Sequence, residues 1–118
     1  MKKITIVDLI QSPVLLSPEK GQILLKELKS QLEKSKKINL DFSGFKFFSS
    51  SFLNNSFGQL CLDLNISEKD FFNKISFSGL SEDDIDEINL TIHNAQVRRK
   101  LKKEDVNVDK FYKKLIPA

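Results

Sequence analysis

Apolar positions change period several times along the chain, and each change marks an element. Ile4, Thr5, Ile6, Val7 and Leu9 place apolar side chains on both faces of an extended segment, predicting a first strand over 4–9 covered on two sides. Pro13 and Pro18 punctuate the connection after it, and beyond Gly21 the residues Leu24, Leu28 and Leu32 recur every four positions, widened by Ile23 and Leu25. That spacing predicts an amphipathic helix over about 20–34, closed by Lys34, Lys36 and Lys37 where positive charge suits the carbonyl end. Ile38, Leu40 and Phe42 alternate with Asn39 and Asp41, a second strand that ends at a Ser43-Gly44 turn.

The aromatic patch Phe45, Phe47, Phe48 leads to Ser49-Ser50-Ser51, after which Leu53, Phe57 and Leu60 return to helical spacing beside Phe52 and Cys61. The serines therefore fall where a helix starts. Ser67 and Asp70 resemble a capping box opening a short helix through Phe71 and Phe72, and Ile75 and Phe77 predict a third strand ending at Gly79. From Ser81, the acids Glu82, Asp83 and Asp84 precede Ile85, Ile88, Ile92 and Ala95, and the run finishes in Arg98, Arg99 and Lys100. Acids at one end and bases at the other match the helix dipole. Strands separated by helices predict an open α/β sheet with helices packed against it.

Composition narrows the function classes. With 118 residues, 40% hydrophobic and 30% charged, the chain suffices for one ordinary core. One Cys and one His exclude an internal disulfide and a protein-only zinc site. The net charge of +3 is uneven: from Gln96 onward eight basic residues face three acidic ones, a local +5 that leaves −2 for the rest. The expected division is a single domain over 1–103 and a basic, apolar tail over 104–118. Asp8 interrupts the N-terminal apolar run and no stretch is long enough to span a bilayer, so a cytoplasmic location without membrane contact is expected.

No catalytic constellation emerges. His93 sits on the last helix without a nucleophile or orienting carboxylate implied beside it, and Cys61 reads as a small hydrophobe. The pairs Asp83-Asp84 and Asp86-Glu87 are accounted for by the first turns of a helix, and glycines at 21, 44, 58 and 79 form no phosphate-cradling loop. A non-enzyme without metal or cofactor is the expectation. The informative stretch is Ile38 to Leu60, where a buried strand, a tight turn, aromatics and a serine cluster build a helix N-terminus with outward-facing backbone N–H groups. Ser49, Ser50 or Ser51 would cap that helix, and a phosphoryl group accepted there would change any partner interface.

Leu40-Asp41-Phe42-Ser43-Gly44-Phe45, then Phe47-Phe48-Ser49-Ser50-Ser51-Phe52-Leu53-Asn54 and Phe57-Gly58-Gln59-Leu60, resemble the STAS-like bacterial domain family of unassigned function, related to the anti-sigma factor antagonists. The resemblance implies a STAS-like open sheet of about four strands with helices mainly on one face. It further implies a partner-switching module that docks through the serine-bearing helix end on a GHKL-type ATPase or serine kinase, or on an anti-sigma-like regulator. The antagonists' phospho-acceptor serine falls on Ser50, with Ser49 where their motif has Asp and Phe52 where it has Gly. The implied partner-binding residues are Ser49, Ser50, Ser51, Phe52, Asn54 and Asn55. A competing expectation, of another class, is a nucleic-acid-associated protein using Arg98, Arg99, Lys100, Lys102, Lys103, Lys113 and Lys114, with Phe111 and Tyr112 for stacking. A third is a tail whose Val106, Val108, Phe111, Leu115 and Ile116 dock on an acidic partner or on the chain's own sheet.

Overall fold

Three four-residue strands lie side by side in the order β1 (Lys2–Thr5), β3 (Ile38–Asp41), β5 (Ile75–Ser78), all parallel, with Lys2 opposite Ile38 and Ile38 opposite Ile75. The computed structural model describes residues 1–103, with side chains through 101. Between the strands run α1 (Ile6–Ile10), α2 (Pro18–Lys34), α3 (Ser50–Leu53), α4 (Gln59–Leu64) and α5 (Glu68–Lys74), and α6 (Glu82–Lys103) comes after the last strand. A second, two-stranded parallel ribbon pairs β2 (Val14–Leu15) with β4 (Phe47–Phe48).

Alternation decides which face of the main sheet is covered. Ile4, Ile38, Leu40 and Ile75 point to one side and are buried, while Lys3, Ser76 and Ser78 point to the other and are exposed. Helices therefore pack on one face, as the STAS-like pattern implies. The open face is held together laterally instead, by Asn39 Nδ2 donating to Ser76 Oγ at 3.0 Å, Ser78 Oγ donating to Asn39 Oδ1 at 3.3 Å, and Lys3 pairing with Asp41 at 3.5 Å.

The predicted first strand requires correction. Extended structure covers only Lys2–Thr5, and Ile6–Ile10 turns helical so that Ile6 and Ile10, four residues apart, both enter the core. Helical spacing buries both isoleucines on one side of a single turn. Gln11 then ends α1 in the left-handed region, at φ 59°, its N–H donating to Val7 O. The other elements stand where their periodicity placed them, α2 beginning slightly earlier because Ser17 caps it, with Pro18 in its first turn.

Residues 50–64 are one continuous helical run in which Asn54–Gly58 takes a π turn. Ser56, fully buried in that turn, donates to Phe52 O at 2.8 Å. The run is held against α2 by the absence of a side chain at Gly21, where a Cβ would stand 2.7 Å from Phe52 O and 2.9 Å from Asn55 Cβ. Phe42 forms the centre of an aromatic cluster, with Phe45, Phe48, Phe57 and Phe77 at centroid distances of 5.6 to 6.5 Å. The α6 helix closes the layer through Ile88, Ile92 and Ala95. Among the described residues no helix is long and apolar enough to cross a membrane. The expected tail over 104–118 lies outside the described residues.

Candidate functional site

Two chain segments leave the carboxyl ends of neighbouring parallel strands and meet again a few residues later. After β3 come the turn at Ser43-Gly44, β4 and the start of the 50–64 helix, and after β5 come Gly79, Leu80, Ser81 and the first turns of α6. In open α/β sheets this is the side on which loops converge to form sites. An open cleft of about 530 Å3 lies between them, walled by Phe45, Lys46, Phe47, Phe48, Ser49 and Ser50 on one side and by Asp83, Asp84 and Glu87 on the other.

The serine wall is fixed by hydrogen bonds that choose among the three hydroxyls. Ser49 is the N-cap: its Oγ accepts from Phe52 N–H at 3.1 Å and donates to Leu16 O at 2.7 Å. Its backbone N–H donates to Leu15 O at 3.0 Å, and Lys46 N–H donates to Pro13 O at 2.8 Å, so the helix start is tied to β2 at several points. Ser51 is half-buried and its carbonyl accepts from Asn55 Nδ2 at 2.8 Å. Ser50 is exposed and its hydroxyl makes no hydrogen bond among the described residues, which leaves it the uncommitted oxygen of the cluster.

The acidic wall is a capped helix start. Ser81 Oγ accepts from Asp84 N–H and Asp84 Oδ2 accepts from Ser81 N–H, each at 3.2 Å, a reciprocal capping box with Asp in the Glu position. The box expected at Ser67 forms only its first arm, Asp70 N–H to Ser67 Oγ at 3.1 Å. Asp84 is thereby engaged, whereas Asp83 and Glu87 are exposed without an ion-pair partner among the described residues. Opposite them Phe47 is 50% exposed, a large apolar face that the helices leave uncovered.

Of the implied partner-binding residues, the cleft brings together Ser49 and Ser50. Asn54 is exposed further along the helix and Asn55 is wedged against α2 beside Gly21. Phe52 is corrected outright: it is fully buried in the core, because the N-cap at Ser49 directs the first helical turn inward, and it presents nothing to a partner. Phe47, one of the phenylalanines flanking the serines in the sequence, is the one left half exposed there, whereas the acidic wall went unassigned, since nothing along the chain signals that residues 83–87 fold back on residues 45–50.

Other chemistry-bearing groups sit apart. Cys61 is buried and burial pushes its thiol up to about 11. His93 is exposed on α6. Asp41, at the end of β3, is held below its ordinary value by hydrogen bonds from the Ser43 hydroxyl at 2.6 Å and the Ser43 N–H at 2.9 Å. Among the described residues no group of three His, Cys, Asp or Glu side chains could hold a metal ion. Part of the basic set invoked for nucleic acid is already engaged: Arg99 Nε donates to Asn65 Oδ1 at 2.8 Å and Nη1 to Ile66 O at 3.1 Å, and it also bonds Gln96. Phe111, Tyr112, Lys113 and Lys114 lie outside the described residues, as do Val106, Val108, Leu115 and Ile116.

The family model described as a STAS-like domain of unknown function matches residues 20–84, just over half of the chain, and the chain belongs to that family. The match runs from α2 through the serine-bearing turn to the first acids of the opposite wall. Searches of the curated proteins and of the solved structures return no match.

Proposed function

We propose that this STAS-like domain is a non-enzymatic regulatory module of the partner-switching type, docking on another protein through the cleft that holds Ser50 and Phe47. The observation that carries the reading is the exposed, uncommitted Ser50 hydroxyl at a helix N-terminus, next to a half-exposed aromatic ring. Phe47 supplies apolar contact area and Ser50 supplies the position at which charge is added. The partner is a GHKL-type ATPase with serine-kinase activity or an anti-sigma-like regulator, and the encounter takes place in the cytoplasm.

In the kinase case the γ-phosphoryl of ATP passes to Ser50 Oγ, ADP leaves, and the hydroxyl proton is released. The product carries about −1.5 to −2 charge. Backbone N–H groups at the helix start favour that charge, while Asp83, Asp84 and Glu87 across the cleft oppose it and Lys46 offsets them only in part. Modification thus reverses the preference of the surface for its partner. Neither the buried, protonated Cys61 nor the isolated His93 offers an alternative chemistry within the chain.

Titration calorimetry against the GHKL-type ATPase or anti-sigma-like regulator encoded in the same genome tests the reading. Ser50→Asp and Phe47→Ala are each expected to weaken binding about tenfold or more, in the range of a moderate interface contact. Wild-type affinity in both variants, with unchanged circular dichroism, overturns the docking surface.

A further inference from the structure

The last helix carries two apolar stripes where the sheet uses one. Ile88, Ile92 and Ala95 face the core, while Leu90, Val97 and Leu101 are 56%, 48% and 51% exposed on the other side. At 100° per residue the second stripe is centred roughly 190° around the helix from the first. Single exposed apolar residues are ordinary, but Leu90, Asn94, Val97 and Leu101 are spaced four, three and four apart, the seam spacing of two helices packed along their length. Among the described residues nothing covers this face. Asn94, exposed in the middle of the seam, is the kind of polar residue that fixes register in such a pair.

Charge identifies the occupant. The first turns of α6 carry Glu82, Asp83, Asp86 and Glu87, and its last turns carry Arg98 and Lys100 followed by Lys102 and Lys103 in the sequence. A second α6 laid antiparallel sets acid against base at both ends, whereas a parallel copy stacks like on like. The helix is self-complementary only in the antiparallel sense.

We propose that the chain self-associates as a twofold-symmetric dimer through antiparallel α6 helices, with the axis between His93 and Asn94 and Leu90 of one copy beside Val97 of the other. Such an interface is isologous. One helix pair, about 33 Å long, is a small contact, so association in roughly the micromolar range is expected.

Sedimentation equilibrium of the full chain tests this directly. The wild type is expected to show a concentration-dependent monomer–dimer equilibrium, and Val97→Glu to weaken it at least tenfold. Val97 is half exposed in the monomer, so the variant keeps the native circular dichroism. Orientation is read by mild oxidation of cysteine variants, for which the buried Cys61 contributes no background. Mixed Leu90→Cys and Val97→Cys proteins are expected to form a heterodisulfide, while Leu90→Cys alone forms none, because its two copies stand about 10 Å apart along the axis. A wild type that stays monomeric at several hundred micromolar, an unaffected Val97→Glu, or a homodisulfide at position 90 in preference to the heterodisulfide each overturns the proposal. The variants leave every residue lining the Ser50 cleft unchanged, and because Asp83 and Glu87 serve both surfaces, self-association is measured without a docking partner, so its failure is distinguishable from failure of the docking reading.

Discussion

Burial raises the Cys61 thiol from 9.0 to about 11, a shift that Arg99 partly opposes and Glu68 reinforces. The folded state therefore keeps its proton when the unfolded state has lost it. Stability is expected to fall as pH rises from 9 toward 11, and Cys61→Ala to flatten that slope even though it opens a small cavity. Urea midpoints across this pH range check the sign, and a thiol reagent at pH 8 should label Cys61 only in denaturant. Asp41 has the opposite sign. Its carboxyl is held below 3.8, chiefly by the Ser43 hydroxyl and Ser43 N–H and less by Lys3, so its contribution is present above that value and lost as pH falls through the lowered one. Gly21 is a steric case: Gly21→Ala gains helix propensity of about 1 kcal/mol but drives a Cβ to 2.7 Å from the Phe52 carbonyl oxygen. Backbone cannot swing aside as a flexible side chain can, so a net loss of about 1–3 kcal/mol is expected in urea denaturation.

Elements with several turns or a full alternating run were legible because their period repeats: α2 through Leu24 and Leu28, β3 through Ile38 and Leu40, α6 through Ile88, Ile92 and Ala95. The two-residue strands β2 and β4 have no period to read, yet their pairing ties the serine turn to the body of the protein. At Ile6–Ile10 a β-branched run reads as strand and folds as helix, because burying Ile6 and Ile10 together outweighs local preference. The serine cluster was legible as a helix start, but the choice of Ser49 as cap depends on the Leu16 carbonyl that receives its hydroxyl, a through-space fact. Ser49→Ala removes both the cap and that tether and is expected to cost about 1–2 kcal/mol, whereas Ser50→Ala should leave stability within about 0.5 kcal/mol. Thermal denaturation of the pair separates the structural serine from the free one, and equal losses would mean that Ser50 also holds the turn.

At the scale of the whole molecule, a parallel sheet usually has both faces covered, and here the described residues cover only one. Three short strands make the arrangement tolerable, since the uncovered face carries Lys3, Asn39, Asp41, Ser76 and Ser78, bonded to one another across the strands. With the helices on one side, the loops leaving β3 and β5 converge at a single corner, and the open cleft beside Ser50 results from that layering. The polar face is then what keeps a one-sided sheet from pairing face to face with another copy. Replacing Asn39 and Ser76 by Val raises strand propensity at both positions but sets two adjacent apolar side chains on the open face and deletes the bonds that Asn39 makes. The expected outcome is retention of native far-UV circular dichroism together with a lower concentration threshold for light scattering, because the new patch adds to exposed apolar surface that no helix among the described residues covers. A double variant that scatters no earlier than the wild type would mean that this face is already shielded, and that the sheet is covered on both sides after all.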